Sequence, residues 1–593
     1  MKKILNKNIF FFILLFVTIF IVYGKSVSFN LTELDDDLLI TRNINYISDY
    51  KNIPNFFLTD CYFGKKTQYY RPVLNISFSL EAIFFKDNFK VYHFTDIFLF
   101  FLSLYLIFLF LSELNFDKNV LKFLILLFAV HPIFACVPVW IPARNDTLLT
   151  IFFISSLILF IKYLKTDKVS FMFLHLFFFA LSLFTKETSL LLLFIYPLLV
   201  YCFNFNFSKK QISYNLSFII PLLVIYFILR TNAVRTVDLS IYASNWHYYV
   251  KNIIFGTMIY IEKLFFPAYM PIMLYDFLPP VQTYIINIIF FTALIYVYYK
   301  KMIERKIIIF SIIFFFISIF PTFMIQEYLL LFHRLIISLT AIVMILTVLL
   351  QKVIRKYPET KKYLIIIFVF FMLLFSVCSF YQIDKYKDGF SFWSNSYIDA
   401  KNYHLAYNGL AQEYCIKKDF EKAIELALKN IEIKNSYEAN MTYATILLEA
   451  GNAKKAEEIF YQLLKIDNSD PTLYKNISSI FLLKNSFEQA IKYAEKAVEL
   501  SPDINGISLK ENLSKVYAVA GKYNESLQIL LDLLQFDKNN DNYCYNISML
   551  YEDLKNYEKS YEYIKKALKF CPEKEQYQNQ LKNVEQKLLS EQR

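Results

Sequence analysis

Residues 362–380 read KYLIIIFVFFMLLFSVCSF, and this stretch is the last in a series of long apolar runs. A helix needs about 20 predominantly apolar residues to cross the hydrocarbon core of a membrane. The pattern therefore predicts an all-α, polytopic membrane domain of about 11 spans over residues 1–380. The predicted spans lie near 8–23, 94–112, 120–139, 147–164, 169–185, 188–203, 213–231, 282–299, 306–325, 335–350 and 362–380.

The composition of the chain changes at about Phe380. Hydrophobic residues make up 56% of the 593 residues and charged residues only 19%, which is little charge for a water-soluble protein of this size. Beyond Phe380, Lys, Glu and Asn become frequent and the apolar residues take the spacing of amphipathic helices. Much of the net charge of +11 comes from Lys and Arg beside the apolar runs, so it does not indicate nucleic-acid binding. The seven Cys residues form no CxxC or Cys/His cluster, so they predict neither a zinc site nor a disulfide framework.

Basic residues beside the apolar runs predict the orientation, because positively charged loops stay on the cytoplasmic side. The first run follows three lysines and precedes no small-residue cleavage site, which favours an uncleaved span with a cytoplasmic N-terminus. A further apolar stretch, 252–268, contains Glu262 and Lys263, which are costly at the bilayer centre. If this stretch lies along the surface or re-enters, the basic clusters at 300–306 and 352–362 fall on the cytoplasmic side. The first loop, 24–93, and the last third of the chain would then lie outside a bacterial cytoplasmic (inner) membrane.

Small residues recur every 33 to 36 positions in the last third of the chain. Each has another small residue twelve positions before it, and a large residue usually follows that one by three positions. This is the pattern of tetratricopeptide (TPR) repeats, in which small positions let two antiparallel helices touch. We predict a linker at 381–403, an α-solenoid of about five TPR repeats at 404–574 and a C-terminal capping helix at 575–593. The paired small positions are Ala411 and Ala423, Ala444 and Ala456, Ser478 and Ala490, Ser514 and Ser526, and Ser548 and Ser560.

The concave groove of a TPR array suits an extended peptide or a protein partner. Four asparagines lie on the first helices that would form this groove: Asn408, Asn476, Asn512 and Asn546. Their amides could bind the backbone of an acceptor peptide, or they are simply solvated surface in a chain rich in Asn. Both interpretations remain open at this stage.

The first predicted external loop carries three adjacent carboxylates, Asp35, Asp36 and Asp37. Their mutual repulsion raises some of their pKa values unless a cation or a hydrogen-bond donor offsets it. Beside a membrane span, such a group could deprotonate a hydroxyl or hold a divalent ion. Taken alone, the triplet is more simply a solvated acidic turn.

Further polar motifs fall at the external ends of the predicted helices. Ionisable residues gathered at one face of an apolar domain indicate a functional site. Carboxylates beside cations suit transfer from a phosphate-linked donor, because a carboxylate removes the acceptor proton while cations hold the departing phosphate. Interface anchoring, helix capping and tight turns are the plainer alternatives for several of them. The motifs are Tyr70-Arg71-Pro72, Tyr92-His93, His131-Pro132-Ile133, Arg144-Asn145-Asp146, Thr185-Lys186-Glu187, and Glu327 with Arg334.

In their order, these motifs and the TPR tail resemble the transmembrane and TPR-containing O-mannosyltransferases and their bacterial relatives. That family belongs to the GT-C superfamily of membrane glycosyltransferases, and the resemblance covers nearly the whole chain. It implies a polyprenyl-phosphate-linked sugar as donor and a protein hydroxyl as acceptor, with inversion at the sugar carbon at the external face. The TPR array would present the acceptor.

The resemblance also implies roles for individual residues. Asp35 and Asp36 would be the catalytic pair, since Ile40 and Asn43 fall in register with Asp36, and Asp146 would be the acid of the second loop. It identifies no metal ligands, and a divalent metal ion is an open alternative. The donor-phosphate contacts would be Arg71, Arg144, Lys186 and Arg334, supported by Tyr70, His93, His131, Glu187 and Glu327.

The chain also departs from the family pattern. Cys136 stands where the family has Glu, Ala143 where it has Gly, and Tyr328 follows Glu327 where it has Arg. These differences leave altered donor specificity or lost activity open. A non-catalytic membrane-anchored TPR scaffold for envelope assembly is the alternative function. An oligosaccharide ligase or polymerase ranks third, because such proteins tend to carry their large external loop late in the chain.

Overall fold

The computed structural model describes residues 2–64, 67–235, 246–324, 329–501 and 506–591. The chain forms two compact units, Met1–Ala406 and Tyr407–Arg593. The described elements are helices apart from two two-residue strands, so the all-α prediction is confirmed.

The first unit is a bundle of apolar helices. Strands β1 (Leu274–Tyr275) and β2 (Leu329–Leu330) pair antiparallel, with Leu274 opposite Leu330. The 3-10 helices are Gly24–Ser28, Thr41–Asn43, Tyr50–Phe57, Pro132–Phe134, Ile141–Ala143, Glu187–Leu191, Phe320–Met324, Phe332–Leu335 and Ile383–Tyr386. The α-helices are α1 (Lys2–Tyr23), α2 (Asp35–Leu39), α3 (Ile44–Ile47), α4 (Pro72–Phe85), α5 (Phe89–Glu113), α6 (Lys118–Ala129), α7 (Arg144–Thr166), α8 (Val169–Thr185), α9 (Leu192–Cys202), α10 (Lys209–Ala233), α11 (Trp246–Phe265), α12 (Val281–Tyr299), α13 (Arg305–Ile319), α14 (Leu339–Lys356), α15 (Thr360–Gln382) and α16 (Gly389–Asp399).

All eleven predicted apolar runs coincide with helices, but not all of these helices are long. The run predicted at 120–139 is α-helical only to Ala129, because Pro132 offers no backbone N–H and disfavours α-helical geometry at His131. The number of helices that cross a membrane stays a prediction. In the described part of the chain, seven segments are long and apolar enough to cross one: Ile9–Ser28, Phe89–Glu113, Ile141–Thr166, Lys209–Ala233, Val281–Tyr299, Arg305–Met324 and Thr360–Tyr386.

Contacts between loops define one end of the bundle, which we call the basic end. It comprises the loops between α5 and α6, α7 and α8, α9 and α10, α12 and α13, and α14 and α15. The ring of Phe116 lies 6.5 Å from that of Phe203, which joins the first and third of these loops. The other joining bonds are Lys165 Nζ to Glu113 O (2.9 Å), Gln211 Nε2 to Asp167 Oδ1 (2.9 Å), Lys306 Nζ to Tyr201 O (3.3 Å) and Lys352 Nζ to Met302 O (2.9 Å).

The opposite end carries the sequence motifs, and we call it the motif end. Its loops are also joined by hydrogen bonds, and the eleven apolar helices alternate in direction between the two ends. The N-terminus of α1 therefore lies at the basic end, and residues 383–403 lie at the motif end. The joining bonds are Trp140 Nε1 to Thr32 Oγ1 (3.1 Å), Lys186 Nζ to Asp146 Oδ1 (2.7 Å), Ser379 Oγ to Val130 O (2.7 Å) and Asn30 N to Lys387 O (2.9 Å).

Helix α11 contains most of the stretch that the sequence left ambiguous. Near its start, the Asn252 side chain donates to Phe323 O at 3.4 Å. Near its end, the carbonyl of Leu264 lies 3.1 Å from His131 Nε2. Both partners belong to loops of the motif end, so α11 lies across that end and does not run from one end of the bundle to the other. Buried Glu262 accepts a hydrogen bond from Thr283 at 2.6 Å, which accounts for a carboxylate in an apolar helix.

The second unit consists of antiparallel helix pairs followed by a single helix. All ten paired small residues are at most 3% exposed, as the TPR prediction requires. Where both are serines they bond reciprocally: Ser548 Oγ lies 2.9 Å from Ser560 Oγ, and each hydroxyl also reaches the other residue's carbonyl. The helices are α17 (His404–Ile416), α18 (Phe420–Ile433), α19 (Tyr437–Glu449), α20 (Ala453–Ile466), α21 (Pro471–Leu483), α22 (Phe487–Leu500), α23 (Ile507–Val519), α24 (Tyr523–Phe536), α25 (Asp541–Asp553), α26 (Tyr557–Phe570) and α27 (Glu575–Glu591).

Helix α27 packs along the last helix pair. Tyr577 and Val584 are fully buried, and the Glu552 carboxylate accepts hydrogen bonds from Gln580, Asn583 and Lys587. The other face of α27 is mostly polar, which suits the terminal helix of a repeat array.

The turn inside each helix pair uses a left-handed residue at the same repeat position. The φ values are 61° at Lys418, 84° at Gly451, 56° at Asn485, 76° at Gly521 and 59° at Lys555. Such a residue ends an α-helix by letting the chain turn back while the last carbonyls stay hydrogen-bonded. Glycine adopts this conformation without a steric penalty, so the two lysines are strained where glycine would not be.

We expect Lys555→Gly to raise the free energy of unfolding of the repeat unit by about 0.5–1 kcal/mol, because it relieves the left-handed strain. Loss of ellipticity of the full-length protein in urea measures this change. Gly521→Ala is the matched control with the opposite sign. Nothing lies within 4 Å of a Cβ added there, so its effect comes from the backbone alone. Equal stability of both variants would contradict the interpretation.

Candidate functional site

A cleft opens at the motif end of the first unit, with about 640 Å³ of empty space including its mouth. It brings together Arg71, Asp146, Lys186, Glu187 and Arg334, five of the residues singled out from the sequence. They come from the start of α4, the start of α7, the turn after α8 and the segment before α14. The remaining lining residues are Tyr69, Leu149, Phe153, Thr188, Leu191, Ser318, Pro321, Thr322 and Ile337.

The cleft holds more cations than carboxylates. Lys186 Nζ forms an ion pair with Asp146 Oδ1 at 2.7 Å, and both side chains are at most 9% exposed. Arg71 and Arg334 have no carboxylate within 4 Å among the described residues, and the Nε atom of each is buried without a hydrogen-bond partner there. Two guanidinium groups with unused donors, beside a lysine, form a site suited to an anion such as a phosphate.

Burial and neighbouring charges set the protonation of Lys186. Burial lowers the pKa of its ammonium group, and the positive charges of Arg334 and Arg71 lower it further. Asp146 opposes this shift, and the result is a pKa of about 8. The charge of Lys186 therefore changes at mildly alkaline pH.

We expect binding of farnesyl phosphate to the cleft to weaken by up to about tenfold between pH 7 and pH 9, because Lys186 loses its proton above a pKa of about 8. The phosphate is already about nine-tenths doubly ionised at pH 7, since its second pKa is about 6, so its own titration changes little over this interval. Calorimetric titration at pH 7, 8 and 9 measures the change. Lys186→Arg keeps its charge and should bind equally at all three pH values. If both proteins showed the same pH dependence, Lys186 would not be a contact of the bound anion.

The first loop separates the roles of two neighbouring aspartates. Asp36 is 1% exposed, and its carboxylate accepts hydrogen bonds from Thr32 N at 2.7 Å and Leu34 N at 3.0 Å. Burial raises its pKa to about 6 against these bonds. Asp36 thus stabilises the fold of the loop, although the resemblance to the glycosyltransferase family places it in the catalytic pair.

Asp35 has a different environment. It is partly exposed and accepts one hydrogen bond, from Tyr62 Oη at 3.1 Å. Burial raises its pKa, while the Tyr62 bond and the positive charges of Arg71 and Arg334 lower it. Asp35 therefore lies within electrostatic reach of Arg71 and Arg334 in the cleft and keeps carboxylate oxygen lone pairs that are not engaged by Tyr62. Asp37 instead pairs with exposed Arg42 at 2.6 Å.

His333 and Trp140 link the first loop to the cleft. Neither residue belongs to the motifs that were recognised in the sequence. His333 Nε2 lies 3.6 Å from Asp146 Oδ2, and its ring centroid lies 5.2 Å from that of Trp140. Trp140 in turn donates to Thr32, a partner of Asp36. Burial lowers the pKa of His333 to about 3, so the ring is neutral. The only available signal in the sequence was the position of His333 directly before Arg334.

The structure does not bring Arg144 to the cleft, which corrects its predicted place among the phosphate contacts. Its guanidinium is fully buried and pairs with Glu81 and Asp96, each at 2.5 Å, and with the carbonyl of Tyr92 at 3.0 Å. Arg144 points sideways between helices α4, α5 and α7, while Asp146, two residues later on α7, reaches the cleft.

Three supporting residues also lie in packed surroundings outside the cleft lining. Tyr70 Oη donates to Phe57 O at 2.8 Å, His93 packs on Phe29, and His131 Nδ1 accepts from Ile133 N at 3.2 Å. They hold loops of the motif end together. Glu327 lies outside the described residues. Among the residues that the structure describes, no group of three His, Cys, Asp or Glu side chains is arranged to hold a metal ion.

The four groove asparagines differ in their surroundings. Asn408 accepts from Asn430 at 3.1 Å within its own repeat, and Asn476 donates to Thr445 at 3.2 Å on the neighbouring first helix. Asn512 is partly buried and Asn546 is exposed. The first two therefore stabilise the array, and Asn546 is the most accessible of the four.

Comparison with known proteins identifies the class of the second unit. A tetratricopeptide-repeat family model matches residues 471–504 and 541–574. The chain is 24% identical over 218 residues to the anaphase-promoting complex subunit CDC16 of Saccharomyces cerevisiae, covering 35% of this chain and 26% of that protein. It is 23% identical over 165 residues to a TPR repeat-containing protein of Methanocaldococcus jannaschii, covering 26% of this chain and 29% of that protein. The chain thus spans less than a third of the length of these relatives.

Solved structures of TPR proteins also align with part of the chain. YrrB, a TPR protein with an unusual peptide-binding site, aligns with a TM-score of 0.25 at 19% identity, over 32% of this chain and 96% of that one. A thermophilic TPR protein of Thermus thermophilus aligns with a TM-score of 0.27 at 16% identity, over 31% and 98%. The match to the family model shows that the second unit contains TPR repeats, and this unit follows the unit of apolar helices along the chain.

Proposed function

We propose that the protein is a membrane glycosyltransferase that moves a sugar from a polyprenyl-phosphate-linked donor to a protein hydroxyl at the external membrane face. The observation that supports this most is the cleft itself. Arg71, Lys186 and Arg334 meet there beside Asp146 and Glu187. Buried cations facing a shared space are suited to holding the phosphate of a lipid-linked donor.

In this proposal Asp35 takes the proton of the acceptor hydroxyl. The hydroxyl oxygen then attacks the sugar carbon, and the bond from that carbon to the phosphate oxygen breaks with its electron pair on the phosphate. Arg71, Arg334 and Lys186 stabilise the charge that develops on the departing phosphate. Asp146 keeps Lys186 in position through their 2.7 Å ion pair.

The distribution of charge supports the proposed orientation. Loops rich in Lys and Arg stay on the cytoplasmic side of a membrane, which assigns the basic end to the cytoplasm and the motif end to the external side. Residues 383–403 lie at the motif end, so the TPR repeats would follow on the external side. TPR grooves bind peptides or proteins, and the array would present the acceptor.

The proposal is tested by comparing the glycoproteome of a deletion strain with that of its parent. We expect a set of glycopeptides to be missing from the deletion strain, to return with the wild-type gene, and to stay missing with Asp35→Asn. This experiment reports the sugar and the acceptor together. Identical glycoproteomes would refute transferase activity.

The orientation has a separate test with a membrane-impermeant maleimide. In a Cys→Ser background, a cysteine at Asn546 should react in intact spheroplasts. A cysteine at Lys168, at the basic end, should react only after permeabilisation. The reverse pattern would place the cleft on the cytoplasmic side.

A non-catalytic scaffold for envelope assembly is the second candidate, and the TPR array favours it because such arrays bind protein partners. The relative CDC16 is named as a subunit of a complex. A scaffold would keep its full cellular function in the Asp35→Asn variant, whereas a transferase would lose it.

A further inference from the structure

The basic end carries a large excess of positive charge. Sixteen Lys and Arg side chains occupy its loops and the adjoining helix turns, against five acidic ones, Glu113, Asp117, Asp167, Glu304 and Glu359. Most of the basic residues are exposed. They are Lys118, Lys122, Lys162, Lys165, Lys168, Lys209, Lys210, Lys300, Lys301, Arg305, Lys306, Lys352, Arg355, Lys356, Lys361 and Lys362.

Three of these lysines serve the fold. Lys165, Lys306 and Lys352 donate to backbone carbonyls in the last turn of a neighbouring helix or just beyond it: Glu113 O, Tyr201 O and Met302 O. A cation at a helix C-terminus interacts favourably with the helix dipole, which accounts for Lys165 and Lys352. Lys306 has the same role and also lies over the ring of Tyr201. The remaining basic residues are more numerous than the helix ends require.

Several of the basic groups lie over tyrosine rings at the same end. The five tyrosines are between 37% and 65% exposed. Tyrosine and basic residues together at helix ends are typical of the membrane–water interface, where the ring meets the acyl boundary and the cation meets the headgroup. The pairs are Lys210 with Tyr214 (5.6 Å to the ring centroid), Arg305 with Tyr298 (5.3 Å), Lys306 with Tyr201 (4.8 Å), Lys356 with Tyr357 (5.1 Å) and Lys362 with Tyr363 (4.9 Å).

The surface beside these pairs is apolar and exposed. Phe218 on α10, Ile295 on α12 and Ile366 on α15 lie about one turn from the tyrosines and are 45%, 55% and 64% exposed. A ligand that satisfies both zones needs a negatively charged head and a long apolar tail. Nucleic acid and acidic peptides offer the charge without the tail.

We propose that the five cation–tyrosine pairs, with Arg355 and Lys361, form a belt that binds the headgroups of anionic phospholipids in the adjacent leaflet. The cations pair with the lipid phosphate, the tyrosine hydroxyls reach its glycerol and ester oxygens, and the acyl chains follow the apolar helix faces. Anionic lipids beside clusters of four to eight Lys and Arg residues gain affinity from each charge. This proposal does not depend on the transferase activity.

Native mass spectrometry of the full-length protein in detergent tests it, with titrations of dioleoyl phosphatidylglycerol and dioleoyl phosphatidylcholine. We expect wild type to bind the anionic lipid about tenfold more tightly. Arg355→Gln, Lys356→Gln, Lys361→Gln and Lys362→Gln combined should reduce this preference to about twofold or less. The matched control removes four exposed lysines of the repeat unit, Lys454, Lys538, Lys569 and Lys582, and should keep the wild-type preference.

Two further variants keep the outcome decisive. Replacing the three belt lysines 356, 361 and 362 by Arg keeps the charge, so binding should persist, which separates lipid recognition from misfolding. Lys186→Gln removes a cation of the cleft. If that variant alone loses the preference, the anionic lipid binds in the cleft and the belt proposal is overturned, while the proposed function gains support. A wild-type protein without preference, or an unaltered preference in the belt variant, also overturns it.

Discussion

Asp35→Asn is expected to reduce sugar transfer at least about 100-fold while the melting temperature stays unchanged. Asp35 is partly exposed and has one hydrogen bond, from Tyr62, so an amide can replace the carboxylate without breaking the loop. The amide cannot accept the acceptor's proton, and the step that generates the nucleophile is lost. Transfer is measured in reconstituted vesicles with a lipid extract as donor, and stability by thermal unfolding in detergent.

Asp36→Asn is the contrasting variant, expected to destabilise the protein by about 1–3 kcal/mol. Asp36 is buried and accepts from two backbone N–H groups, and an amide oxygen can replace only part of that acceptor capacity. Asp37→Asn is the neutral control, because the Asp37–Arg42 pair lies at the surface. Asp35→Asn could instead stay fully active while Asp36→Asn loses transfer at unchanged stability. Asp36 would then be catalytic, as the resemblance implies, and the roles that we give to Asp35 and Asp36 would be wrong.

The helices of the first unit could be predicted from the sequence because hydrophobicity is a local property. Each long run of Phe, Ile and Leu folded into a helix, and alternation between two ends follows from short connections. That alternation also explains why Arg71, Lys186 and Arg334 meet in one cleft. Each of the three lies in a connection at the motif end of the alternating helices, so all three lie at the same end of the bundle.

The alternation of helix direction does not predict how the helices are arranged side by side. Arg144 and Asp146 lie two residues apart and at the same end, yet one is buried between α4, α5 and α7 and the other lines the cleft. Which side of a helix faces the cleft depends on packing against several neighbours at once. For the same reason His333 and Trp140 were missed, since each gains meaning only from a partner more than a hundred residues away.

The repeats were predictable for a different physical reason. The two helices of a repeat can approach each other closely only where both carry small side chains, so the same requirement recurs in every repeat and is visible as a period. The turn residues form no pattern in the sequence, because only Gly451 and Gly521 are glycine. Lys418, Asn485 and Lys555 adopt the same left-handed conformation. The groove asparagines also recur, but the structure uses Asn408 and Asn476 for contacts inside the array.

Arg144→Met is expected to have the largest effect on stability, a loss of about 3–5 kcal/mol. The guanidinium is fully buried between the carboxylates of Glu81 and Asp96, at 2.5 Å from each. Removing it leaves two carboxylates in an apolar interior with no cation to compensate them, which is far more costly than the loss of the ion pairs themselves. Thermal unfolding in detergent and the amount of protein in the membrane measure the effect.

Neutralising Glu81 and Asp96 tests whether uncompensated charge causes the loss of stability in Arg144→Met. Arg144→Met combined with Glu81→Gln and Asp96→Asn removes the uncompensated charges, so it should recover at least half of the lost stability. Arg42→Met is the matched control, because Arg42 is 66% exposed and its pair with Asp37 contributes at most about 1 kcal/mol. If Arg144→Met were as stable as wild type but inactive in sugar transfer, Arg144 would act on the donor phosphate after all. The stability measurement therefore decides between the buried role shown by its contacts and the phosphate-binding role implied by the sequence motif.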